Sequence, residues 1–181
     1  TLVLKTEGKN KDFAYDGKNW AAKPTAAVPN PGPEAGEALL PTYWTVPVKQ
    51  VRVVMERKGS RREVVMTIAG ASLHALIQAK QASPAGAGLS AWKQLLSDAS
   101  LQKSCHSEGI NTANSTGKGY VRIGIIGNQE NQCGSPDSWI GVGGIDSVCG
   151  GKKSVFSGNI ACYGASNGNR TVAAPTWVYV R

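Results

Sequence analysis

An α+β protein is predicted: an N-terminal hairpin plus two helices, packed with a disulfide-tied, β-rich C-terminal part. Three observations predict it. Val46, Val48, Val51, Val53 and Met55, then Val64, Met66 and Ile68, alternate like the two arms of a β-hairpin over residues 43–69. Residues 72–81 and 89–103 carry apolar side chains at helical spacing. After residue 104 the chain changes to short apolar runs separated by Gly, Asn and Ser, and all four cysteines lie there. The chain therefore divides into an α+β supporting region, 1–104, and a Cys-containing β-rich region, 105–181. At this length the two make a tight pair or one compact domain.

In order, Leu2-Val3-Leu4 is a short strand, Phe13-Ala14-Tyr15 a second candidate, and Asp16-Gly17 a turn. Residues 24–41 hold Pro24, Pro29, Pro31, Pro33 and Pro41, which exclude a helix or a central strand and predict an exposed extended loop. The alternation of the following hairpin slips near Gln50, as a β-bulge would make it do. Its tip is the basic turn Arg57-Lys58-Gly59-Ser60-Arg61-Arg62. Ser72 is placed to cap the first helix, whose stripe is Leu73, Leu76 and Ile77, and Ser83-Pro84-Ala85-Gly86 breaks it. Leu89, Trp92, Leu95, Leu96 and Ala99 form the stripe of the second helix, which makes Trp92 a core residue. The chain ends Trp177-Val178-Tyr179-Val180-Arg181, expected to be a strand inside the C-terminal sheet.

The stretch 119–151 is the part the chain is organised around. It opens with a strand in which Val121, Ile123 and Ile125 face one way and Tyr120, Arg122 and Gly124 the other. A polar loop follows, then a short strand over 138–142 and a Gly-rich turn ending at Cys149. Glycines and polar side chains bury little and add entropy to the unfolded chain, so covalent ties are expected to hold the segment. Cys105, Cys133, Cys149 and Cys162 contain no CxxC pair, which argues against zinc. Of the three possible pairings, Cys105–Cys133 and Cys149–Cys162 close local loops on either side of the 138–142 strand. The smaller loop stabilises by roughly 3 kcal/mol in the chain-entropy view. Disulfides point to an oxidising compartment: secreted, periplasmic or extracellular.

The net charge is +8, which suits an anionic partner. The basic residues are scattered, however, and neither stacking aromatics nor a recognition helix accompanies them, so no nucleic acid is expected and the hairpin tip is taken as a solvated turn. No apolar run is long enough for a transmembrane segment. There is no initiator Met and no signal-like segment, and the chain reads as a processed one. The histidines are His74 and His106, and no Gly-x-Ser-x-Gly, HExxH or P-loop occurs, so no catalytic residues are assigned. Asn114-Ser115-Thr116 and Asn169-Arg170-Thr171 match the glycosylation sequon, as chance matches do in an Asn-rich chain.

Two kinds of site are suggested by the C-terminal loops. Asn128, Glu130, Asn131, Asp137 and Asp146 carry oxygens of the kind calcium takes from irregular loops, with Asp137, Asp146 and Glu130 as the carboxylate ligands. Asx-turns account for the same residues equally well. A glycan site would combine Trp139 or Tyr163 as an aromatic platform with Asn128, Glu130, Asn131 and Asp137 as polar partners. Trp139, between Ser138 and Ile140, is equally placed for the core.

The last third resembles secreted fibrinogen-related and intelectin-like lectin domains, in Cys133-Gly134, the run from Asp137 to Gly144, Cys162, and the final Trp177-Val178-Tyr179-Val180-Arg181. That resemblance implies calcium-dependent sugar binding. The function expected is that of a secreted or surface-associated binding protein of the bacterial envelope or extracellular space, an adhesin or lectin-like protein recognising a glycan or cell-surface protein. A structural subunit of a surface complex such as a pilus tip is the alternative, and a secreted hydrolase or toxin component ranks third.

Overall fold

A computed structural model describes residues 1–23, 32–113 and 120–181. It corrects the predicted class. The protein is mostly β, with 42% of the described residues in strands of two antiparallel sheets and only 13% in helix, which does not fit two packed helices. The strands are β1 (Leu2–Thr6), β2 (Ala38–Leu39), β3 (Val48–Arg57), β4 (Ser60–Gly70), β5 (Ser83–Pro84), β6 (Ser104–Ala113), β7 (Tyr120–Asn128), β8 (Ser138–Gly144), β9 (Ser157–Ala161), β10 (Arg170–Ala173) and β11 (Thr176–Val180). One sheet has the order β2-β1-β11-β3-β4 and the other β10-β9-β8-β7-β6-β5. Helices α1 (Thr42–Thr45), α2 (Leu73–Gln78) and α3 (Leu89–Gln94) are each six residues or shorter.

The hairpin β3–β4 forms as its alternation requires, with a register shift between Val48 and Gln50. Lys58 and Gly59 at its tip both take positive φ, the geometry of a tight hairpin turn. The terminal strand is not in the C-terminal sheet. β11 lies between β1 and β3, pairing Val178 with Leu4 and with Val53. Local alternation predicts a strand but is silent about which sheet receives it. The tip is also more than a solvated turn. Arg57 donates to both Asp98 carboxylate oxygens, and its Nη2 lies 2.7 Å from Oδ2. Arg61 covers the Trp177 ring at 4.0 Å, and Arg62 donates to the Gln94 carbonyl. The guanidinium holds the Asp98 carboxyl below the usual carboxylate range, chiefly through that hydrogen bond.

The helical stripes are real but short. Ser72 caps α2 by accepting from the Ala75 N–H. Asn111 ends α2 by donating to the carbonyls of Leu76, Ile77 and Gln81. Beyond α3, residues 95–103 leave the expected helix and run as an irregular, largely buried strap. Distant side chains take over its backbone. Ser100 N donates to Asn159 Oδ1 (2.8 Å), Asn159 Nδ2 donates to Ser100 O (2.9 Å), and Asn167 Nδ2 donates to Ala99 O (2.6 Å). These long-range bonds outcompete the local i→i−4 pattern, as Ser- and Asp-containing segments allow. Near the N-terminus the candidate strand at 13–15 is instead a 3-10 turn, Lys11–Phe13, which buries Phe13. The predicted Pro-rich loop falls partly outside the described residues, at 24–31, as does the sequon at 114–116. After 31, residues 32–37 bend over the first sheet, where buried Lys5 donates to the Gly32 and Glu34 carbonyls.

One apolar core fills the space between the sheets. Val53, Met55, Met66 and Val178 come from the first sheet, Ile123, Ile125 and Ile140 from the second, and Ile77 and Trp92 from the helices. Burying such side chains stabilises by about 1.5–3 kcal/mol each. The expected common face of Val121, Ile123 and Ile125 is not kept. Val121 packs with Ile126, Trp139, Val148, Val155 and Ile160 in a second cluster, which includes residues of the β8–β9 connection 145–156. Gly109, Gly124, Gly141 and Gly158 stand in register across β6, β7, β8 and β9. Along this line a carbonyl oxygen of the neighbouring strand sits where a Cβ would be: 2.2 Å from Ile123 O at Gly141, 2.0 Å from Val172 O at Gly158. Strands bend sharply at such positions.

Two disulfides, Cys105–Cys133 and Cys149–Cys162, complete the fold in the expected pairing. No helix among the described residues is long and apolar enough to cross a membrane. Both findings are compatible with an extracellular protein.

Candidate functional site

The start of β6, the end of β7, the start of β8 and the end of β9 converge at one end of the six-stranded sheet, where the first disulfide ties 105 to 133 and the second ties 149 to 162. Buried Gln102 joins these pieces from below. Its Nε2 donates to Gln129 Oε1 and to the carbonyls of Cys162 (2.9 Å) and Tyr163 (3.2 Å). Its Oε1 accepts from the Asp137 N–H (3.1 Å), and its N–H donates to Ser138 Oγ. The Sγ atoms of Cys149 and Cys162 both lie 3.3 Å from the Asp137 carbonyl oxygen. Loops that the sequence makes glycine-rich and polar are thus held from two sides, covalently and by one buried amide.

The predicted site residues separate on this frame. Trp139 is fully buried, and its Nε1 donates to Ile145 O, so it presents no platform to a ligand. The loop that follows β8 covers it, a layer that periodicity along one strand cannot reveal. Asn128 is also fully buried; its Nδ2 donates to Gln132 O (2.6 Å) and its Oδ1 accepts from Gln129 N. It shapes the loop and is withdrawn from any ligand. Tyr163, by contrast, is 54% exposed, the most open of the large apolar side chains among the described residues. Its φ of 48° is rare for a bulky residue. Glu130 and Asn131 are exposed, with side chains that hydrogen-bond to nothing among the described residues. Asp137 is half-buried.

Burial, and then the charge of Glu130, raise the Asp137 carboxyl above its ordinary value. The unfolded chain releases that proton at lower pH than the folded one, so stability falls as pH rises from the ordinary aspartate value through the raised one. Asp137→Asn is therefore expected to raise the thermal midpoint at pH 7 and to leave it unchanged at pH 3, where both forms are neutral. Melting curves of both proteins at the two pH values check this.

The third predicted metal ligand is elsewhere. Asp146 lines a cleft between residues 9–18 and 146–156, and its carbonyl accepts from Lys153 N. Among the described residues no three His, Cys, Asp or Glu side chains form a group that could hold a metal ion. Asp137 thus feels the charge of Glu130, while Asp146 lies in that separate cleft.

His106 Nε2 donates to the Gln102 carbonyl (2.7 Å), which fixes its tautomer, and His74 packs edge-on against Tyr43. Neither is hydrogen-bonded to a carboxylate, serine or cysteine among the described residues. Gln102 and Asn159 were invisible to sequence reasoning, since amides carry no spacing signature. A polar residue embedded in an apolar stripe was the one available signal for Gln102. Also unforeseen is a half-exposed pair, Tyr15 and Tyr120, stacked at 4.7 Å with Arg122 over Tyr15 at 4.0 Å. No protein-family model, no curated protein and no solved structure matches the chain.

Proposed function

We propose that the chain is a secreted or surface-associated binding protein whose disulfide-tied end recognises a glycan on a cell surface. Tyr163 is the platform, and Glu130, Asn131 and Asp137 are the polar partners. The observation that carries this reading is Tyr163 itself: an open aromatic ring in left-handed backbone, on loops clamped by two disulfides and Gln102. Such conformations cost about 1–3 kcal/mol and concentrate at functional sites. Sugars have apolar faces that stack on such a ring and hydroxyls that bond to amides and carboxylates. Loops already held in shape lose little entropy on binding. The lectin resemblance of the last third implies the same ligand class.

Tyr163→Ala is expected to weaken glycan and cell binding by about tenfold or more, while the melting temperature stays near that of the parent because the ring is exposed. A glycan array followed by titration of the hits checks this. Added chelator separates the calcium question, because binding lost with chelator requires a cation bridging Glu130 and Asp137 to the sugar. Parent-like binding by Tyr163→Ala sinks the reading.

One observation favours a second reading, a subunit of a surface assembly such as a pilus tip. β4 is an eleven-residue edge strand with Val65 42% exposed, and edges of this length pair with strands of other chains. Co-purification of a partner that protects β4 from hydrogen exchange would favour it.

A further inference from the structure

The tip of the β3–β4 hairpin, the end of α3 and the start of β10 meet around Asp98. Arg57 holds the Asp98 carboxylate, and Arg170 Nε donates to the Asp98 carbonyl (2.9 Å). Arg62 Nη1 donates to the carbonyl of Gln94 (3.2 Å), which follows Lys93 at the end of α3. The Asp98 carboxyl is held low first by its hydrogen bond to Arg57, and the charge of Lys58 adds to the effect, so Lys58 faces the same group. Lys58, Arg62, Lys93 and Arg170 thus share one surface, although they are far apart in the chain.

The carboxylates of this surface are already engaged. Asp98 pairs with Arg57, Glu56 with Arg61 (2.9 Å) and Glu63 with Arg52 (3.5 Å). Lys58, Arg62, Lys93 and Arg170 make no ion pair among the described residues, and the segments 24–31 and 114–119 contain no Asp or Glu. Lys58 and Arg62 are exposed, and Lys93 and Arg170 are half-exposed. Cations gathered without counter-ions repel one another, and an incoming polyanion relieves that repulsion.

The form of the surface selects the kind of anion. The chain is exposed from Lys58 to Glu63, so the cations are spread over an open tip, which suits a polymer of charges better than one enclosed ion. The rings beneath, Trp92 and Trp177, are buried, and Arg61 covers Trp177, so neither is offered to a nucleobase. The tip, Arg57-Lys58-Gly59-Ser60-Arg61-Arg62, has no apolar side chain to enter a bilayer. Gln94 and Asn169, next in the chain to Lys93 and Arg170, are exposed amides of the kind that bond sugar hydroxyls.

We infer that Lys58, Arg62, Lys93 and Arg170 form a docking surface for an acidic polysaccharide, whose sulfate or carboxylate groups supply the missing counter-ions. This surface does not depend on the Tyr163 reading. The two adjoin, because Arg170 pairs with Ala161 at the end of β9, just before Tyr163. A polymer held here brings its neighbouring sugars to the disulfide-tied end at raised local concentration.

The test titrates the full chain with dextran sulfate, polygalacturonate, neutral dextran and a duplex oligonucleotide, at about 50 and about 300 mM salt. An acidic polysaccharide is expected to bind in preference to neutral dextran and to the duplex, and to weaken at the higher salt; which of the two binds tighter identifies the anionic group. Lys58→Glu/Arg62→Glu should weaken that binding about tenfold or more. Lys58→Gln/Lys93→Gln changes side chains that hydrogen-bond to nothing among the described residues, and should weaken it in the same direction. Lys9→Glu/Lys152→Glu alters net charge as much as the first pair, at the cleft beside Asp146, and should bind like the parent. Circular dichroism and melting confirm that the variants fold. An equal loss in both glutamate pairs would show that net charge alone is responsible and overturn the proposal. So would the absence of saturable binding of either acidic polymer at low salt, tighter binding of the duplex, or a loss in Tyr163→Ala with both hairpin variants parent-like.

Discussion

Gly158→Ala is expected to destabilise the protein by about 4 kcal/mol or more. Two terms add. At φ 130° an L side chain is strained, and the new Cβ would stand 2.0 Å from Val172 O and 3.1 Å from Ala174 N. Those atoms are backbone, so relief requires β10 to move away from β9 and to give up their pairing. Gly141→Ala meets the same obstruction from Ile123 O and the Gly124 Cα. Gly59 supplies the control. It has φ 74° at the hairpin tip, but nothing lies within 4 Å of its added methyl. Gly59→Ala isolates backbone strain and is expected to cost about 1 kcal/mol. Urea midpoints of the variants check the contrast. If Gly158→Ala were as mild as Gly59→Ala, the glycine row would not bring adjacent strands into the close approach described.

Loss of the Gln102 amide ranks next. Gln102→Ala leaves the buried Cys162 carbonyl and the partly buried Asp137 N–H and Tyr163 carbonyl without their partner. Each orphaned group costs about 1–3 kcal/mol, and water entering the cavity recovers part of it, so about 3 kcal/mol is expected overall. Gln102→Glu is the sharper experiment. It keeps the shape and still accepts from Asp137 N–H, but at neutral pH it points a carboxylate at two carbonyl oxygens. It should cost about 4 kcal/mol at pH 7. Burial raises the folded-state pKa of such a glutamate, so the penalty is absent below the unfolded value of about 4.3 and grows as pH rises through it. The Glu variant should therefore approach the parent in acid while the Ala variant does not. Non-reducing melts across pH distinguish them, with both disulfides intact. A Glu variant as stable as the parent at pH 7 would contradict the placement of this side chain.

What the sequence made legible is local. The hairpin, its bulge near Gln50, the Ser72 cap and the burial of Trp92 all follow from spacing within a few residues. The disulfide pairing follows from loop closure. The helix expected over 89–103 fails for a non-local reason, since Asn159 and Asn167 claim the backbone of residues 99 and 100 from across the fold. The terminal strand shows the same limit: its alternation is plain, but its place between β1 and β3 depends on the whole topology. At the disulfide-tied end Gln102 joins the backbone of Asp137 to that of Tyr163, and Asp137 feels the charge of Glu130, while the glycan set of Tyr163, Glu130, Asn131 and Asp137 is what we propose. Trp139 and Asn128 fall outside that set, because alternation marks a face and cannot tell whether another layer covers it. Tyr15 and Tyr120 are far apart in sequence, and nothing in either neighbourhood announces the other.

The most direct measurement is backbone amide NMR of the isotope-labelled chain, titrated with a neutral glycan selected on an array. Binding at the disulfide-tied end should shift the resonances of Glu130, Asn131, Asp137, Tyr163 and Gly164 together, with those around Tyr120 and Arg122 unmoved. Shifts confined to β4, or spread evenly with no cluster at Tyr163, would contradict a glycan platform on these loops.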